Sequence, residues 1–157
     1  MTTAYADSSF LVRLLVSEPE AVAAVAAHRK LKRPNLYFSS LHELEVANAV
    51  RLRTFMAIRR QPRVRARAAR AQEEALRRLD LSLKLGRFLR LRVQWEDAFA
   101  GAAELSHRYA VQFGVRSFDL LHVQLAVISP SNDFLTCDAR QALLAKAAGL
   151  RVTLVEP

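Results

Sequence analysis

The chain is 157 residues long and 52% hydrophobic, with one cysteine and a formal net charge of +9. That length suits one compact domain over residues 1–157, and the lone Cys137 excludes an internal disulfide and suits a reducing compartment. No basic stretch leads into a long apolar N-terminal segment and no apolar run approaches the roughly 20 residues of a bilayer span, so a soluble cytoplasmic protein with no membrane partner is expected.

The stretch Thr3-Ala4-Tyr5-Ala6 reads as a first strand, although Tyr5 is its only bulky residue. Asp7, Ser8 or Ser9 then caps a helix through Leu15, with Phe10, Leu11, Leu14 and Leu15 at helical spacing. Pro19 in a first turn opens a second helix to about Lys32, with Glu18 and Glu20 at the positive end of its dipole. "LYFSS" is a short strand ending in a serine cap, and "LHELEVANAVRLRTFMAIRR" a long helix that stops before Pro62. A further helix covers "RVRARAARAQEEALRRLDLSLKL", so that residues 41–84 form a basic helical pair. "RFLRLRVQW" alternates like an edge strand, and Glu96 to about Phe113 is helical, with Gly114 ending it. "SFDLLHVQLAVI" is apolar on nearly every face and predicts a buried helix. "DFLTC" is a strand, "DARQALLAKAAGL" a helix with Gly149 past its end, and "RVTLVE" a last strand. Strands alternating with helices predict an α/β layered domain with a mainly parallel central sheet.

The positive charge is uneven. From Arg51 to Arg92 there are 14 Lys and Arg against three acids, Glu73, Glu74 and Asp80, whereas the rest has 10 bases against 12 acids. A local excess of this size suits a polyanionic partner, because neutralising phosphates releases counterions. A solvated helical face explains the same run.

Four acids stand in apolar surroundings. Asp7 follows the first strand and Asp138 follows "FLTC", which puts both on one rim of a parallel sheet, where ligands of such folds gather. Glu45 lies among Leu44, Val46, Ala47 and Val50, and Asp119 between Phe118 and Leu120 at the start of the most apolar helix. Taken singly, Asp7 and Asp138 are good helix caps, Asp119 can meet His122 one turn on, and Glu45 can pair with Arg13 or another internal base. Taken together, one site explains all four, and clustered carboxylates need a cation. Oxygen ligands select hard ions such as Mg²⁺ or Mn²⁺. Zinc is disfavoured: Cys137 points by strand alternation away from Asp138, and His28, His42, His107 and His122 make no pair at zinc spacing. A carboxylate-held Mg²⁺ beside a basic surface suits phosphodiester hydrolysis without a Ser or Cys nucleophile.

The segments "YADSSFLVRLL", "HELEVANAV", "RSFDLLHVQLAV" and "FLTCDARQALLAKAAGLRV", in this order, resemble the PIN-domain ribonucleases, especially the VapC-type toxins of bacterial toxin-antitoxin pairs. The resemblance implies a three-layer αβα sandwich and an acidic site of Asp7, Glu45, Asp119 and Asp138. It implies hydroxyl support from Ser9 and Thr136, and Arg116 on a substrate phosphate. The register of "VANA" favours Glu45 over Glu43, which on a helix points about 160° away. It implies too Mg²⁺- or Mn²⁺-dependent cleavage of RNA, a homodimer, and inhibition by a cognate antitoxin. The Arg51–Arg92 segment is longer and richer in arginine than in the shortest such proteins, which suits an RNA clamp, a dimer arm or an antitoxin groove. Two other functions use the same features: a non-catalytic nucleic-acid-binding module, and a metal-dependent DNA nuclease or phosphatase.

Overall fold

The computed structural model describes residues 2–17, 19 and 21–156, so the expectation for Glu18 and Glu20 lies outside the described residues. The elements follow in the order β1 (Thr3–Ala6), α1 (Ser8–Leu15), α2 (Ala21–Lys30), β2 (Asn35–Phe38), α3 (Ser40–Arg60), α4 (Arg65–Lys84), β3 (Phe88–Arg90), α5 (Trp95–Phe113), α6 (Ser117–Ile128), β4 (Asp133–Thr136), α7 (Ala139–Ala147) and β5 (Arg151–Leu154). A 3-10 turn, Pro62–Val64, joins α3 to α4. Pro62 opens it because its fixed φ suits a first helical position and it has no N–H to lose.

Among the described residues the strands form one parallel sheet in the order β3-β2-β1-β4-β5. The chain fills one side of β1 first, then returns to the other side at β4. Such a reversal leaves a crevice at the carboxyl ends of β1 and β4, the place where open α/β sheets bind ligands.

Strand alternation splits the core into two layers. Ala4, Ala6, Leu36, Phe38, Phe88 and Leu135 face one way, against α1, α2, α3 and α4. Tyr5, Tyr37, Phe134 and Val152 face the other, against α5, α6 and α7. The result is an αβα sandwich, as expected from the alternation of strands and helices. The edge strand β3 is only three residues long, and Leu91 to Gln94 leave the sheet as irregular chain. Gly114 closes α5 at φ 62°, a left-handed conformation that a side chain would strain.

Among the described residues the buried polar side chains fall into two groups, Ser129 and Ser131 ahead of β4 and a larger one elsewhere. Asp7, Ser39, His42, His122, Thr136 and Gln141 all lie within or near the carboxyl rim, and each is at most 3% exposed. Burying so many polar groups together is tolerable only when they satisfy one another.

Candidate active site

β1 ends at Ala6, and Asp7 begins α1 as its N-cap: Oδ1 accepts from the Phe10 N–H at 2.9 Å. Ser9 Oγ lies 2.8 and 2.9 Å from the two Asp7 oxygens, and the Thr136 hydroxyl donates to Oδ2 at 2.7 Å. The structure thus shows Asp7 as the helix cap that the sequence allows, placed at the β1–β4 crevice. Burial raises its pKa above the ordinary aspartate value, against the pull of the Thr136, Phe10 and Ser9 hydrogen bonds and of the His122 charge.

β4 positions the next group. The Asp138 N–H donates to Thr136 Oγ1 at 2.9 Å, and Asp138 Oδ1 caps α7 through the N–H groups of Arg140 and Gln141. Thr136 Oγ1 and Gln141 Oε1 lie 3.2 Å apart, and Gln141 Nε2 donates to the main-chain oxygen of Asp119 at 3.4 Å. Hydrogen bonds thus join Thr136 to Asp7 and Gln141 to the backbone of Asp119, with Thr136 Oγ1 and Gln141 Oε1 adjacent between them.

Asp119 sits in the first turn of α6, where its Oδ2 accepts from the Arg116 N–H at 3.0 Å and lies 3.5 Å from Arg116 Nε. The expected contact with His122 is not made. His122, 3% exposed, turns instead toward β1 and α3. Its Nδ1 meets the Tyr5 phenol at 2.9 Å, and its Nε2 meets both Ser8 Oγ at 3.1 Å and the carboxylate of Glu45. Ser8 donates to Glu45 Oε2 at 2.8 Å. Glu45 thus pairs with His122 and Ser8 and makes no ion pair with Arg13 among the described residues. Burial alone would raise the Glu45 pKa, but the hydrogen bond and charge of His122, the Ser8 bond and the Arg116 charge carry it below the ordinary value. Glu43 points outward to Arg90 Nη1 at 2.7 Å.

Beneath these groups His42 Nε2 donates to the Ala6 carbonyl at 2.8 Å, so Nδ1 accepts from the Ser39 N–H at 3.0 Å. Burial, with the neighbouring His122 charge, keeps its pKa well below the ordinary histidine value, and the ring stays neutral. The sequence gives Ser8, His42 and Gln141 no role in the site beyond possible helix caps and an excluded zinc pair, and it links His122 to Asp119 where the structure pairs it with Glu45. The signal for His122 was a ring on an otherwise apolar helix, which must find a polar partner once buried.

Glu45 Oε1 and Asp119 Oδ1 accept no hydrogen bond among the described residues, whereas Asp7 is held through both oxygens. Among the described residues no three His, Cys, Asp or Glu side chains are gathered closely enough to hold an ion by themselves. Mg²⁺ asks for less, since it usually keeps several waters and takes one or two carboxylates with a substrate phosphate. The oxygen donors of the rim and the buried Asp7, hydrogen-bonded but without an ion pair among the described residues, fit such an ion.

The parallel sheet with its polar residues gathered at the carboxyl rim defines a layered α/β domain, and the comparison with protein families narrows the class. The chain belongs to the PIN domain family, whose profile matches residues 4–147. PIN domains are typically metal-dependent nucleases, generally using divalent ions such as Mg²⁺. No curated protein was found to match the chain. No described helix is long and apolar enough to cross a membrane.

Proposed function

We propose that this protein is a Mg²⁺-dependent endoribonuclease of the VapC toxin type, restrained by a cognate antitoxin and acting as a homodimer. The observation that carries the reading is Asp7, a carboxylate 3% exposed at the crevice with no cationic side chain bonded to it among the described residues. Asp7, Glu45, Asp119 and Asp138 would hold the ion, which, with Mn²⁺ as a substitute, would polarise the scissile phosphoryl group and lower the pKa of the attacking water.

The chain's own residues supply orientation. Ser9 and Thr136 hold the Asp7 carboxyl in one rotamer, and the Gln141 link keeps α6 at a set distance from β4. Ser8 and His122 keep Glu45 ionised and turned toward the rim. Arg116, 73% exposed beside Asp119, meets a non-bridging phosphate oxygen of the substrate.

The test is incubation of structured RNA pools with purified protein, with Mg²⁺ and with EDTA, comparing wild type with Asp7→Asn. Mg²⁺-dependent cleavage lost in the variant supports the reading. Chelator-insensitive binding without cleavage supports a nucleic-acid-binding module, which the positive Arg51–Arg92 segment favours. Cleavage confined to DNA, or to phosphomonoesters, overturns the ribonuclease assignment.

A further inference from the structure

Tyr5 on β1 and His122 on α6 are 0% and 3% exposed, and a buried hydroxyl and a buried imidazole each need a polar partner. They meet at 2.9 Å, Tyr5 Oη against His122 Nδ1. The other edge of the ring, Nε2, faces Glu45 Oε2 and lies 3.1 Å from Ser8 Oγ. Partners on opposite edges leave the ring one orientation, because turning it over would set carbon atoms against the phenol and the carboxylate.

The direction of these bonds follows from the hydrogens available. Ser8 gives its single hydrogen to Glu45 Oε2 at 2.8 Å, so toward His122 it can only accept, and an ionised carboxylate accepts as well. Two acceptors around one ring nitrogen require that nitrogen to carry hydrogen, in the neutral ring or the charged one. His122 therefore donates from Nε2, and Nδ1 is left to the phenol. Tyr5 is in turn held by rings: Phe134 stacks on it with centroids 5.9 Å apart and planes 7° apart, and His42 lies 5.0 Å away, itself bonded to the Ala6 carbonyl.

All of this order converges on one oxygen. Oε2 of Glu45 receives both Ser8 and His122, whereas Oε1 accepts no hydrogen bond among the described residues, and the side chain is 24% exposed at the rim. We propose that Tyr5 and His122 are positioning residues that commit Oε2 of Glu45 to the protein and leave Oε1 as the oxygen it presents to the divalent ion. The inference rests on the reading of Glu45 as a ligand and adds which oxygen serves and what holds it. The last torsion of a glutamate is broad and nearly two-fold, so a free carboxylate offers either oxygen over a wide range of angles. Pinning one oxygen removes that freedom before the ion arrives, and less order has to be imposed on binding.

The experiment follows Mn²⁺ binding through the EPR signal of the free ion, and finds which nitrogen of His122 carries hydrogen by long-range ¹H–¹⁵N NMR of the metal-free protein. Nε2 is expected to bear hydrogen in wild type. Tyr5→Phe keeps the shape and removes the hydroxyl, and is expected to weaken Mn²⁺ binding about threefold to tenfold, while Tyr37→Phe, the same loss on β2, leaves it unchanged. His122→Gln, whose amide reaches the place of Nε2, is expected to stay within about threefold of wild type, whereas His122→Asn, whose shorter amide reaches only the place of Nδ1, loses about tenfold or more. With RNA at subsaturating Mn²⁺, Tyr5→Phe lowers kcat and leaves KM unmoved. A His122 Nε2 without hydrogen, a Tyr5→Phe protein that binds Mn²⁺ like Tyr37→Phe, or equal binding by His122→Gln and His122→Asn each overturns the proposal. Loss of Mn²⁺ binding in Glu45→Gln with Tyr5→Phe unaffected sinks the positioning pair and leaves the ion site standing. A wild type that binds no Mn²⁺ sinks the ion site itself, and the pair is then packing alone.

Discussion

The Thr136 hydroxyl donates to Asp7 Oδ2 at 2.7 Å, joining two residues 129 positions apart across the β1–β4 crevice. Thr136 Oγ1 in turn accepts the Asp138 N–H at 2.9 Å, so one hydroxyl ties the end of β1 to the start of α7.

Asp7→Asn is expected to keep or raise stability in metal-free buffer while reducing RNA cleavage about 100-fold or more. An asparagine oxygen can still accept from Phe10, and its amide can donate to Thr136, whose hydrogen then serves Gln141. Because the native Asp7 pKa is raised, ionising it opposes folding. The variant's advantage is absent below the ordinary value of 3.8 and grows as pH climbs through the raised native value. Thermal unfolding in EDTA across that range checks it, and a variant less stable at neutral pH contradicts it.

Thr136→Val preserves shape and removes the shared hydroxyl. Asp7 Oδ2 loses a donor and the Asp138 N–H loses an acceptor, at a cost of about 1–3 kcal/mol in urea unfolding. With a hydrogen bond to its charged form gone, Asp7 titrates still higher, as a carboxyl NMR titration would record.

Glu45 behaves in the opposite sense. Its pKa is depressed, so the stability it adds is present above the ordinary value of 4.5 and is lost as pH falls through the lower native value. Wild type is therefore expected to be more stable than Glu45→Gln at pH 6, with the gap closing in acid below 4.5. His122→Ala, which also strips Tyr5 of a partner, should return the Glu45 titration toward the ordinary value.

Cys137 should be a poor nucleophile. Burial pushes its thiol up to about 11, with the Arg13 charge opposing, and its side chain packs against the α1 layer. From an ordinary 9.0 the shift cuts the thiolate fraction about 100-fold at pH 8, and disulfide-exchange reagents should react correspondingly slowly until the protein is unfolded.

Much of the fold was legible. The strands alternate, the helices carry caps and stops where Asp7, Pro62, Gly114, Asp138 and Gly149 stand, and the order of elements forces a parallel sheet. The weakest element was the third strand, because "RFLRLRVQW" alternates for nine residues while only Phe88–Arg90 pair with β2. An edge strand is held from one side only, so pattern outruns pairing there.

The candidate acids were legible as anomalies, since a carboxylate in an apolar context must be explained. Which group answers each acid was not. Pairing Glu45 with Arg13 and Asp119 with His122 follows from chain proximity and charge, but α3 and α6 meet through His122, 77 positions from Glu45. Sequence alone thus determined the layered α/β class, the rim positions of Asp7 and Asp138 and the bias of positive charge toward residues 51–92, because these depend on local periodicity, capping and composition. The tertiary structure alone decided the Thr136–Asp7 hydrogen bond, the link from Gln141 to the Asp119 backbone and the His122–Glu45 pair, because contacts between distant segments follow from how the layers pack.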